Sequence, residues 1–124
     1  MEGSPPEGFF YAPTIITNVN EGVRVVDEEQ FGPVMPIMQY KDDAEAISRA
    51  NNTMYGLGGS VWGTNVDATA HVATQLEAGT VWVNQHSDLT GAPFGGFKHS
   101  GIGRELGKSD IDAFSEIQTL SLAK

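Results

Sequence analysis

Apolar and polar positions along this chain of 124 residues form short runs of strand type that alternate with stretches of helical period. Residues 9–17 are apolar and β-branched, which predicts a strand; Pro13 has no N–H to give a ladder and places it at an edge or a bulge. Residues 23–26 are a second short apolar run, followed by polar residues 27–30 and the turn dipeptide Gly32-Pro33. Residues 34–40 predict the next strand, again interrupted, by Pro36. Residues 42–52 predict a helix: Asp42 can cap it, Glu45 stands three residues on as in a capping box, and Ala44, Ile47 and Ala50 share a face. A short strand is expected around Val61 and Trp62. Residues 65–78 predict a second helix, with Ala68, Val72 and Leu76 at i, i+4, i+8 and Gly79 as its stop. Residues 80–84 (Thr-Val-Trp-Val-Asn) have strong strand propensity.

The rest is less regular. Residues 85–103 are glycine-rich and aperiodic, and a loop that long within a compact domain is usually functional. Residues 106–114 predict a helix, and residues 118–123 alternate, with Leu120 and Leu122 on one face, as in a half-exposed strand. Residues 1–8, rich in Pro, Gly and Glu, read as a flexible leader ahead of a unit running from 9 to 124. Strands alternating with helices give an α/β class with some parallel pairing.

Composition narrows the chemistry. A net charge of −9 would repel a phosphate backbone, so no nucleic-acid partner is expected. With no cysteine there is no disulfide, no thiolate metal site and no cysteine nucleophile in this chain. No apolar run approaches the roughly 20 residues of a membrane span, and the first residues lack the basic-then-apolar order of a secretory signal, so a cytoplasmic location is expected.

Several motifs fail on spacing. Gly107-Lys108-Ser109 ends like a P-loop, but its first glycine should fall at position 102, which is Ile102. Gly101, Gly103 and Gly107 miss the dinucleotide fingerprint by one residue. Trp62 stands where a nucleophile elbow starting at Gly58 needs glycine. His71, His86 and His99 are not paired at metal-ligand spacing, so no metal site is expected. Glu28 and Glu29 are adjacent and would point differently on any regular element, so they do not form an acid/base pair.

Four ordered segments carry a resemblance. Residues 28–34 (Glu-Glu-Gln-Phe-Gly-Pro-Val), 51–57 (Asn-Asn-Thr-Met-Tyr-Gly-Leu), 79–84 (Gly-Thr-Val-Trp-Val-Asn) and 93–105 (Pro-Phe-Gly-Gly-Phe-Lys-His-Ser-Gly-Ile-Gly-Arg-Glu) resemble motifs of the aldehyde dehydrogenases, in the same order and spacing. The resemblance implies the C-terminal portion of a catalytic domain that oxidises aldehydes to carboxylic acids with NAD or NADP. In that family a cysteine thiolate attacks the aldehyde, hydride passes to nicotinamide, and a glutamate base serves hydrolysis of the thioester. Both those residues precede the portion represented here. The chain is therefore expected to contribute no catalytic residue and to be inactive alone.

Position by position, the resemblance assigns Glu29 to the nicotinamide ribose hydroxyls, a task suited to an acceptor-only carboxylate. It assigns Phe31 to packing near the nicotinamide, Phe94 to an aromatic wall of the substrate tunnel, and Leu89 to the loop that shapes its mouth. Gly95, Gly96, Gly101 and Gly103 read as turn positions rather than ligand contacts. The terminal strand is implied to join an oligomerisation sheet, hence a homo-oligomer. The chain departs from the family pattern at Gln30, at residues 85–88 and at residues 108–111, which leaves the aldehyde unspecified. The rival reading is a stand-alone, non-catalytic binding or assembly module with the same fold.

Overall fold

The computed structural model describes residues 8–87, 89–108 and 110–123. Most of residues 1–8, the expected leader, therefore lies outside the described residues. The chain divides into two compact units, Met1–Lys41 and Asp42–Lys124.

The first unit holds strand β1 (Thr14–Ile16), a single helical turn α1 (Arg24–Asp27) and strand β2 (Val34–Pro36). The strands pair in parallel, Thr14 opposite Val34, Ile15 opposite Met35 and Ile16 opposite Pro36. Pro36 is tolerated because it ends its strand; the next residue, Ile37, resumes the pairing by donating its N–H to the Ile16 carbonyl (2.8 Å). The apolar run at 23–26 forms helix α1 rather than a strand. The N–H groups of Val26 and Asp27 both reach the Val23 carbonyl, and the Arg24 guanidinium grips the Glu28 carboxylate one turn on through two bonds of 2.8 and 2.9 Å.

The second unit runs helix α2 (Asp43–Asn51), strand β3 (Gly58–Val61), helix α3 (Val66–Ala73), strand β4 (Thr80–Val83) and a short helix α4 (Asp110–Ala113). β3 and β4 are parallel, Gly58 opposite Thr80 through Val61 opposite Val83, and α3 packs against both. This is the right composition for a strand–helix–strand crossover.

Both long helices start where their caps predict. The Asp42 carboxylate accepts from the Glu45 N–H (2.9 Å) and the Asn65 side chain from the Ala68 N–H (3.1 Å), each satisfying a first-turn donor that has no partner within its helix. The buried face of α3 is not the one expected. Thr69 and Ala73 are buried, whereas Ala68 is exposed and Val72 and Leu76 are only half-buried. Small side chains let the helix approach the sheet closely, and the Thr69 hydroxyl donates to the Asn65 carbonyl (2.7 Å), so its burial strands no polar group. On α2, Ile47 alone of the expected trio is half-buried.

Three element ends differ from expectation. α3 stops at Ala73, ahead of Gly79, because Asn51 intervenes from 24 residues away: its amide donates to the Gln75 carbonyl and accepts from the Glu77 N–H (2.8 Å each). α4 covers only four of the residues expected to be helical, from Asp110. Residues 118–123 do not form the expected strand; they are exposed and enter no ladder among the described residues. An alternating segment becomes a strand only when a neighbouring backbone supplies its hydrogen bonds, and this one has no such neighbour. The α/β class with alternating strands and helices stands. Among the described residues, no helix is long and apolar enough to cross a membrane.

Candidate functional site

In the first unit the chain leaves α1 in an extended conformation at Glu28 (φ −103°, ψ 144°), placing Glu29 and Phe31 on the turn that leads to β2. Both are exposed, Phe31 at 93%. Gln30 holds the turn in shape: its amide donates to the carbonyls of Glu28 (3.0 Å) and Arg24 (3.4 Å). The departure from the family pattern at this position therefore has a local structural use. The neighbouring acids differ in employment. The hydrogen bonds from Arg24 hold the Glu28 carboxyl below the usual glutamate range, with the guanidinium's charge adding to the effect against a small opposing desolvation. Glu28 is thus committed to an ion pair, and Glu29 is the acid displayed beside Phe31 on the turn.

In the second unit, residues 85–108 fold back over β4. Phe94 and Glu105 exchange both backbone hydrogen bonds (2.7 and 2.8 Å) as an antiparallel bridge, closing a ten-residue excursion between them. Within it the Arg104 guanidinium donates to the carbonyls of Gly96 (3.0 Å) and Gly103 (2.6 Å) and lies over the Phe97 ring, 5.6 Å from its centroid. The four glycines act as turn residues in two ways. Gly101 and Gly103 have positive φ (116° and 88°), while side chains at Gly95 and Gly96 would collide with the Gly103 carbonyl and with Ser100 respectively.

This excursion is tied to the segment after α2. The Gly56 carbonyl accepts from the N–H groups of Phe97 (2.8 Å) and Gly79 (3.0 Å), and the Gly56 N–H donates to the Ser100 hydroxyl (2.9 Å). His99 N–H reaches the Met54 carbonyl (2.9 Å). Lys98 sends its ammonium to the Asn51 carbonyl (2.6 Å) and the Glu77 carboxylate (2.7 Å). The segments at 51–57, 79–84 and 93–105 are thus physically joined, a convergence that no periodicity in the sequence announces.

The result is a cavity of about 270 Å³, floored by Thr80 and Trp82 of β4 and walled by Leu89, Pro93, Phe94, Glu105 and Leu106. Leu89 and Phe94, both singled out in the sequence, line this one cavity; Glu29 and Phe31 belong to the other unit. Phe94 also borders a second hollow of about 360 Å³ with Leu57, Ser100 and Arg104. Thr80 and Trp82 were missed, although their spacing of two on a strand is a readable signal for one shared face. Trp82 is 7% exposed; its indole N–H donates to the Ser87 carbonyl (2.8 Å), and its ring lies 4.3 Å from that of His86. His71, His86 and His99 are all exposed, and no group of three metal-ligating side chains occurs among the described residues.

Known proteins place this arrangement. The backbone superimposes on betaine aldehyde dehydrogenase from Staphylococcus aureus, solved in complex with NAD+, with a TM-score of 0.83 and 44% identity, over 86% of this chain and 21% of that one. Among curated relatives, betaine aldehyde dehydrogenase of Bacillus subtilis is 46% identical over 112 residues, 90% of this chain and 23% of the relative. An aldehyde dehydrogenase of Enchytraeus buchholzi is 49% identical over 115 residues, 92% of this chain and 23% of the relative. Residues 1–120 match the aldehyde dehydrogenase family, and the chain belongs to it. It spans about a quarter of the length of these curated relatives.

Proposed function

We propose that residues 9–124, after a short leader at 1–8, are the C-terminal part of a catalytic domain that oxidises aldehydes with NAD or NADP. The observation that carries this reading is the cavity of about 270 Å³: Leu89 and Phe94, assigned to the substrate tunnel by resemblance, line it together in a family member. Its apolar walls would exclude water from an aldehyde's hydrocarbon portion. The displayed turn suits a cofactor: an exposed acceptor-only carboxylate at Glu29 can take hydrogen bonds from ribose hydroxyls, and the bare Phe31 ring can pack against an aromatic ring. Nicotinamide, when bound, supplies the hydride acceptor. In this reading Glu29 and Phe31 orient the ribose and ring, and Leu89 and Phe94 orient the aldehyde.

The covalent step lies outside this chain, whose sequence contains no cysteine to serve as the nucleophile. Homo-oligomer formation and a cytoplasmic location complete the reading.

Purified chain with NAD+ and a panel of aldehydes is expected to give no NADH above a protein-free control. Joined behind the preceding segment of the Bacillus subtilis relative, the same chain is expected to give an active dehydrogenase. In that joined enzyme Glu29→Gln should slow single-turnover hydride transfer more than it weakens cofactor affinity, because misplacement costs most in the transition state. Turnover by the chain alone, or an unchanged single-turnover rate in the variant, counts against the assignment.

A further inference from the structure

The β1–β2 pair presents an apolar face with nothing in its own unit to cover it. Ile15 and Met35 stand opposite each other in the parallel register, so their side chains share one face, and they are 62% and 55% exposed. The intervening positions of both strands, Thr14, Ile16, Val34 and Pro36, are half-buried on the other face. Parallel sheets are built to be covered on both faces, and a pair of three-residue strands is too small to be a finished sheet.

We propose that this face docks the remaining part of an aldehyde dehydrogenase catalytic domain supplied as a separate polypeptide, so that the two chains assemble non-covalently into one α/β unit. The inference rests on the proposed function and adds to it a partner and a surface. Two observations select the occupant. The chain already has the backbone conformation that the corresponding fifth of the Staphylococcus aureus enzyme adopts inside a much longer chain, so the face arrives shaped for the polypeptide that makes up the rest of such a chain. A second copy is a poor alternative, because a net charge of −9 on each partner opposes self-association, and stacking two identical faces would add no strand to the sheet.

The test mixes this chain with the N-terminal portion of the Bacillus subtilis relative, ending where the matched segment begins, either co-expressed as two polypeptides or joined in one. The expected result is a 1:1 species on size-exclusion chromatography with light scattering, producing NADH from betaine aldehyde. Ile15→Glu combined with Met35→Glu should weaken assembly by roughly a hundredfold, since it replaces two apolar groups with charges at the buried face. Both side chains are exposed in the free chain, so its circular dichroism should not change; the milder Met35→Gln should give an intermediate loss. An active joined protein whose separate pieces stay apart overturns the docking proposal and leaves the proposed function standing. Undiminished assembly by the double variant, or homodimers of this chain in place of the mixed species, also overturns it. An inactive joined protein overturns the proposed function and the docking proposal with it.

Discussion

Adjacent acids on one turn end up in different electrostatic positions because of a single arginine. Arg24 is four residues before Glu28, the spacing at which helical side chains meet, and it misses Glu29 by one. The Glu28 carboxyl is held below the ordinary glutamate value, chiefly by its hydrogen bonds from Arg24. Any stability from this pair is therefore present above the unfolded-state pKa and lost as pH falls through the lowered folded value. Carboxyl NMR titration should place Glu28 below ordinary glutamate, and Arg24→Ala should return it there; an unmoved midpoint would show that the pair does not persist in solution. Lys98 is a different kind of residue. It holds a backbone carbonyl at Asn51 and a carboxylate at Glu77 at once, from a backbone with φ of 54°. Lys98→Met keeps the stem and removes both bonds. It is expected to lower unfolding free energy by about 1–2 kcal/mol in denaturant titration, the range for a charge-assisted bond discounted for partial exposure. A loss below a few tenths of a kcal/mol would mean the clamp is decorative.

At the scale of elements, the sequence revealed starts better than ends. Asp42 and Asn65 were readable as caps because an N-cap works through residues two or three positions on, within sight of any local pattern. The end of α3 was not, because Asn51 sets it from a distant segment, and Gly79 instead provides room for the Gly95 carbonyl, which a side chain there would strike. The site was legible in the same uneven way. Leu89 and Phe94 came from motif resemblance, Thr80 and Trp82 could have come from alternation, and Glu105 enters only through its bridge to Phe94. Residues 118–123 show the limit of pattern: alternation specifies which face a strand would bury but does not supply the partner. If that segment pairs between copies, a chain truncated after Glu116 should shift toward monomer in light scattering across a concentration series. Equal association by both forms would move the contact elsewhere.

At the scale of the molecule, the two compact units differ in how well each protects its own sheet. β4 contains the buried Trp82, α3 lies against both strands of its pair, and Asn84 extends the ladder by exchanging two side-chain bonds of 2.8 Å with the Gly63 backbone. β1 and β2 have three residues each, one apolar face exposed, and a proline closing the second strand. Exchange of an amide hydrogen requires its bond to open, and opening is cheap where little apolar area is uncovered by it. The amides of Thr80 and Asn84, bonded to the carbonyls of Leu57 and Val61, should therefore exchange at least roughly tenfold more slowly than those of Thr14 and Ile37, bonded to Pro33 and Ile16. Hydrogen–deuterium exchange resolved by NMR would measure this on the free chain. Binding of the complementary polypeptide should then slow exchange at Thr14 and Ile37 far more than at Thr80, because a docked partner stabilises the native state it binds and has most to add where the free sheet is barest. Equal protection of both sheets in the free chain would show that the first unit is stable as it stands, and would remove the physical reason for expecting it to need a cover.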